Sequence, residues 1–312
     1  MRTLKLVKEI RTPIYRIQLF QRQPRFSLKM RQSPQRQTFE KQPTPLPPEV
    51  DIQILWEGGK PYETDSAEVV QTEHLPILMY HQIGEAGPDH LKQWRVAPDA
   101  FEAQLRYLRD VGYYSVSLEA WCQAIEAKKP LPGKAICMTF DDGYLSFFEQ
   151  AWPLLKKYGF TATVFLVAHQ VGQMNDWDAR YGDLMPLMNW QHIQQLQNEG
   201  VRFGSHTVTH RSLTMLSAEE IVTEGARSRA ILEEKLATPI RTIAYPYGDT
   251  DPAIAHLMGA CGYLAGVSCN PGLSNIKNSA LLLPRQEITG FDSLKEFITK
   301  LELGLGTGQK PM

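Results

Sequence analysis

Three short segments carry side chains whose types and spacing could do chemistry. The first is Met138-Thr139-Phe140-Asp141-Asp142-Gly143-Tyr144, two adjacent carboxylates at the exit of an apolar run. Carboxylates near a core are costly unless paired or bound to a cation, and the carboxyl end of a barrel strand is where active sites form. The plain alternative is an Asp that caps the helix behind the strand. The second is Gly204-Ser205-His206-Thr207-Val208-Thr209-His210. Two imidazoles four residues apart can meet one ion from a helical or turn-like backbone, although such a pair is often incidental. Two His and one Asp together make a three-ligand set with a position left open for water, as a catalytic zinc site requires. The third is Ile243-Ala244-Tyr245-Pro246-Tyr247-Gly248-Asp249. It reads as a strand and a Pro/Gly turn, and a rigid turn can offer a backbone N–H to a developing oxyanion.

These segments need elements to bring them together. Strand-like runs fall at 77–80, 113–116, 135–140, 162–167, 202–205, 242–245 and 263–267, and helical periodicity fills the gaps. Phe101, Leu105, Leu108 and Val111 share one helical face. Trp152, Leu155 and Tyr158 mark a second helix stopped by Gly159, and Ile193 and Leu196 precede Gly200 in the same way. A long helix over 221–236 opens at Ser217, with Glu220 three residues on as a capping box. Strands alternating with helices imply parallel strands with right-handed crossovers. About seven such units suit an α/β fold of the distorted (β/α)-barrel kind better than an open sheet. The irregular stretch 172–188 is long enough for a functional loop.

Composition bounds the rest. The chain has 312 residues, 43% hydrophobic and 21% charged, which suits one sizeable globular domain with an extension. The net charge of -1 hides an asymmetry. Residues 1–45 hold eleven Lys or Arg against Glu9 and Glu40, leaving 22 basic and 32 acidic residues on the remainder. Residues 1–70 therefore read as a basic, Gln/Pro-rich, disordered tail and linker, and 71–305 as the catalytic domain. The tail could make weak contact with an anionic surface, although a plain solvated spacer is the simpler account, and no nucleic-acid partner is expected. There is no apolar run of the length that spans a membrane and no readable secretory signal. Four cysteines without CxxC spacing argue against a disulfide scaffold or a cysteine metal site.

The order TFDDGY, SHTVTH and AYPYG resembles the polysaccharide deacetylase family, also called the NodB-homology or carbohydrate esterase 4 family, over about residues 74–290. The resemblance implies a NodB-like barrel and hydrolysis of N-acetyl groups on an amino-sugar polymer. It makes Asp141 the general base, and Asp142, His206 and His210 the ligands of a divalent metal: zinc, with cobalt or nickel as alternatives. Tyr247 would supply the oxyanion-hole amide. Two features depart from the family pattern: Ala244 stands where Arg is usual, and no His follows His256. The opening Pro76-Ile77-Leu78-Met79-Tyr80-His81-Gln82 is similar to the poly-N-acetylglucosamine deacetylase subgroup, which would make His81 the general acid. Arg285 could then orient Asp141. Trp177, Tyr245 and Tyr247 are the aromatic residues available to stack on a sugar. The substrate class implies an extracytoplasmic or envelope setting, although no export signal is readable. A catalytically silent carbohydrate-binding relative, or a deacetylase of an ester or small amide, are the competing expectations.

Overall fold

The computed structural model describes residues 74–303, with side chains to 302, and the backbone of strands at 4–11, 15–22, 50–56 and 71–72. The chain divides into two units, Met1–Glu68 and Val69–Met312. In the first, strands Leu4–Arg11, Tyr15–Arg22 and Val50–Trp56 pair antiparallel in that order. Strands stand here where disorder is expected from composition. The overlooked signal is a period of two: Tyr15, Ile17 and Leu19 lie opposite Trp56, Ile54 and Ile52. The rest of the expected tail lies outside the described residues.

The second unit alternates strands and helices. Its elements are β1 (Ile77–Tyr80), α1 (Pro98–Asp110), β2 (Tyr113–Ser115), α2 (Leu118–Ala127), β3 (Lys134–Phe140), α3 (Trp152–Tyr158), β4 (Thr163–Leu166) and α4 (Trp190–Asn198). They continue as β5 (Arg202–Ser205), α5 (Ala218–Leu236), β6 (Thr242–Ala244), α6 (Pro252–Ala260), β7 (Ala265–Val267), β8 (Gln286–Glu287) and α7 (Leu294–Leu303). The sheet runs β7-β6-β5-β4-β3-β1-β8, all parallel, with β2 paired to the first half of β3. The fold is thus the expected curled α/β barrel. Its seven-strand path includes β8, which the sequence pattern does not reveal, while β2 lies off that path.

Local signals explain the helix limits. Ser217 and Glu220 form both hydrogen bonds of a capping box at the start of α5. Gly159 takes the left-handed conformation that ends α3. The strands are buried on both faces, as parallel strands under crossover helices must be. One apolar cluster joins Leu78, Met138, Phe140, Val164 and Ile243 to the helices, including Phe101, Leu105 and Leu108 of α1. The alternate strand residues Ile77, Cys137, Phe165, Ala244 and Val267 gather with Leu283 in a second cluster, on the other face of the sheet.

The two sheet edges meet through an irregular segment. Leu283 bridges to Val267 of β7, donating to Gly266 O and accepting from Ser268 N at 2.9 Å each. Three residues later β8 pairs with β1. Pro284 has no N–H to donate, which limits regular pairing here. Arg285 therefore sits inside the segment that joins β7 to β1.

Packing is close where β5 passes β4. A Cβ on Gly204 would lie 2.5 Å from Thr242 Oγ1 and 2.6 Å from the Phe165 ring. Gly204→Ala should therefore lower the unfolding free energy by about 1–3 kcal/mol, read as a reduced urea midpoint with an unchanged slope. Unaltered stability would contradict the packing described for this crossing.

Candidate active site

Strand register brings the chemical segments to one end of the barrel. Tyr80 of β1 lies opposite Phe140 of β3, and Asp141 N donates to Tyr80 O at 2.9 Å. His81 and Asp141 therefore leave neighbouring strands side by side. Ser205 of β5 lies opposite Leu166 of β4 and Ile243 of β6, so His206 enters the same mouth. Tyr247 follows β6 by three residues. All these groups lie at the carboxyl ends of parallel strands, where barrel enzymes place their chemistry.

Asp142, His206 and His210 form one buried group whose ligand atoms lie within 4.8 Å of one another. Asp142 Oδ1 lies 3.4 Å from His206 Nε2 and 3.3 Å from His210 Nε2. Both distances exceed those of good N–H···O hydrogen bonds, and Asp142 Oδ1 and His210 Nδ1 are buried without a hydrogen-bond partner. Such an arrangement suits an ion placed between the three side chains. His206 Nδ1 donates to Ala244 O at 2.8 Å in the tautomer that leaves the Nε2 lone pair facing the group. Burial alone would raise the Asp142 carboxyl, but the two facing imidazoles hold it well below the usual carboxylate range. Burial lowers both rings; His206 is carried above its ordinary value by Asp142, while His210 stays below.

The backbone here is unusual for L-residues. Asp142, Thr207 and His210 have φ of 72°, 66° and 60°, in the left-handed region that costs energy without a glycine. The four-residue His spacing thus works through an irregular loop, not a helical turn. Local hydrogen bonds hold that loop: Thr207 N donates to Ser205 Oγ, and His210 N to Thr207 Oγ1, each at 3.1 Å.

Asp141 is paired with Arg285. The guanidinium donates Nη1 to Oδ1 at 2.8 Å and Nη2 to Oδ2 at 2.7 Å, with the carboxylate 2% and the arginine 0% exposed. Arg285 also donates Nη1 to Thr139 Oγ1 and Nε to Ser268 O. Burial pushes the Asp141 carboxyl up, and the Arg285 charge overrides it, leaving the group below its ordinary value. This forked geometry orients a carboxylate in a way that a lysine could not.

The remaining expected residues fall as follows. His81 is half-buried, its ring 6.2 Å from that of Trp94, and its Nδ1 has no partner. Tyr247 lies in the turn Pro246–Gly248 with φ 61°, and its half-exposed ring meets His210 edge-on at 4.7 Å. Trp177 stacks on His210 at 4.5 Å, so that face of its ring is used against a neighbouring residue. Tyr245 is a correction: it is fully buried, donates to Leu281 O at 2.8 Å and offers no face to a ligand. The structure also adds Asn175, absent from the sequence expectations. Fully buried, it accepts from Met185 N and donates to Asp178 Oδ2 and Tyr144 Oη, fastening the loop that carries Trp177. An Asn in so long an irregular stretch was the available signal.

Comparison with known proteins agrees with this fold. The family model described as polysaccharide deacetylase matches residues 128–266. YxkH of Bacillus subtilis (strain 168), which carries a polysaccharide deacetylase name, is 29% identical over 73% of this chain and 77% of its own. The poly-beta-1,6-N-acetyl-D-glucosamine N-deacetylase of Escherichia coli (strain K12) is 25% identical over 72% of this chain, which spans 38% of that enzyme. Among solved structures, Streptococcus pyogenes deacetylase PplD in complex with acetate superposes with a TM-score of 0.64 at 29% identity. That likeness covers 73% of this chain and 98% of PplD.

The Asp141–Arg285 pair makes a signed prediction for the metal-free protein. Arg285→Met should cost about 3–5 kcal/mol at pH 7, because it strands a buried carboxylate. With Arg285 present the Asp141 value is depressed, so its contribution to stability is full above the ordinary carboxylate value. That contribution is lost only as the pH falls through the lower folded value. Without Arg285, burial raises Asp141, and the variant should recover stability relative to the parent as the pH falls towards about 4. Urea unfolding of both proteins at pH 7 and pH 4 checks this; a pH-independent difference would contradict it.

Proposed function

We propose that the chain belongs to the polysaccharide deacetylase family and hydrolyses N-acetyl groups on an N-acetylglucosamine-containing polymer, releasing acetate. As a polysaccharide deacetylase it is a hydrolase of carbon–nitrogen bonds. The observation that carries the finer reading is the pairing of two unlike carboxylates. Asp142 faces two imidazoles in a group fit for a metal, and Asp141 beside it is oriented by Arg285. The name of the Escherichia coli relative supports the amino-sugar substrate.

Asp142, His206 and His210 would hold the ion. When bound there, a divalent cation, zinc in our reading with cobalt or nickel as alternatives, would polarise the acetyl carbonyl and lower the pKa of water. Asp141 takes the proton of the attacking water. Each of its oxygens accepts one bond from Arg285 and keeps a second lone pair for that proton. Arg285 keeps the carboxylate ionised and fixed in direction. The backbone N–H of Tyr247, turned by its left-handed φ, stabilises the oxyanion. His81, beside Asp141 in register, protonates the departing amine nitrogen. Tyr247, 54% exposed, offers apolar surface to a sugar. Among the described residues no helix is long and apolar enough to cross a membrane. The substrate class points to an extracytoplasmic place of work.

Acetate release from N-acetylglucosamine oligomers should vanish after chelation and return with zinc or cobalt. Asp141→Asn should lower turnover by about 10²–10⁴-fold while zinc still binds. His210→Ala should lose zinc binding as well as turnover. Unchanged turnover in Asp141→Asn would remove the base from this scheme, and an inert protein that binds zinc would point to a silent binding relative.

A further inference from the structure

The inner face of α5 carries a carboxylate that the catalytic scheme does not use. Its buried positions are Ile221, Glu224, Gly225, Ser228, Leu232 and Leu236, an apolar stripe interrupted by an acid. Glu224 is 7% exposed. Among the described residues no Lys, Arg or His nitrogen lies within 4.0 Å of it. Its three partners all come from the loop between the two histidines. Oε2 accepts from Val208 N at 2.8 Å and Thr209 N at 3.0 Å, and Oε1 accepts from Thr209 Oγ1 at 2.6 Å. One turn further along, Ser228 Oγ meets Ser205 Oγ at 2.7 Å, supporting the residue that accepts from Thr207 N.

We propose that Glu224 is the positioning residue of the His206–His210 loop, holding both imidazoles on Asp142 and raising the affinity of the site for a divalent cation. The inference rests on the metal-binding reading of Asp142, His206 and His210. The loop has two residues at left-handed φ, so its local bonds work against backbone strain, and such conformations persist only where the surroundings over-determine them. The other tethers are neutral: Ala168 N and His169 N donate to Thr207 O and Val208 O from β4's side. Glu224 supplies the charge-assisted bonds, the stronger kind. It grips the two residues just before His210, whose Nδ1 has no partner of its own to orient it. A buried anion so close to the ligand loop also adds negative potential where a cation would sit.

The test uses the full chain stripped by chelator, titrated with zinc in a calorimeter and with cobalt in a visible spectrometer. Glu224→Ala should weaken zinc binding by about 10–100-fold, as loss of groups behind metal ligands does, and change the cobalt spectrum through a displaced His210. Glu224→Gln keeps the shape and one acceptor oxygen but not the charge, and should bind zinc more tightly than Glu224→Ala and more weakly than the unaltered protein. Wild-type zinc affinity and an unchanged cobalt spectrum in Glu224→Ala would overturn the proposal. If circular dichroism shows Glu224→Ala unfolded, Thr209→Val removes the hydroxyl contact alone; weaker zinc binding there supports the proposal and unchanged affinity overturns it. Failure of the unaltered protein to bind either metal is a separate result, which overturns the metal reading and this inference with it.

Discussion

Two carboxylates on consecutive residues, both buried and both held ionised, are the constraint on which the rest of this structure depends. Asp141 and Asp142 leave β3 with almost no access to water. Neighbouring negative charges in such a place repel, and ordinarily one would take up a proton. The chain separates them instead. The left-handed φ of Asp142 turns its side chain to the imidazoles while Asp141 meets Arg285. One acid thereby becomes a fixed, deprotonated carboxylate, and the other faces two imidazoles in a group fit for a cation.

Parallel register makes this separation possible over long sequence distances. Arg285 is 144 residues from Asp141 and reaches it because the segment joining β7 to β1 runs past β3's carboxyl end. The barrel's closure and the orientation of Asp141 are thus one structural event. The long loop 172–188 contributes differently. Asn175 ties it down, and Trp177 covers one face of His210 while Tyr247 meets that ring edge-on. The exposed part of the mouth is left to aromatic edges.

Much of this was legible in the sequence because it is written in local pattern. The apolar runs of β1, β3 and β5, the Ser217–Glu220 box and the Gly159 stop all report their own backbone state. The Asp and His segments were legible because they follow such runs directly. What escaped is what depends on distant partners. β8 is two residues long and carries no periodicity. Tyr245 looked available beside Tyr247, but Tyr245 is buried directly after β6, whereas Tyr247 lies two residues on, in the turn that leaves the strand. In the first unit, the basic composition outweighed an alternation that is plain once Ile17 is seen opposite Ile54. Glu224 was missed, although it is an acid inside the apolar stripe of a predicted helix, a conflict between pattern and residue type that such stripes rarely tolerate without cause.

The Arg285 pairing also accounts for Ala244, which stands where the family resemblance leads one to expect an arginine at the start of the third motif. Ala244 is small and fully buried, and its carbonyl accepts from His206 Nδ1. Its side chain lies in the apolar cluster with Phe165 and Val267. An arginine here would have to bury a second guanidinium among those apolar residues, and the Asp141 carboxylate is already paired through both oxygens. What the proposed chemistry needs is a forked cation at Asp141, not a cation at a given place in the chain. With Arg285 supplying it from the closing segment, position 244 is released to pack the core, and its backbone alone serves the histidine.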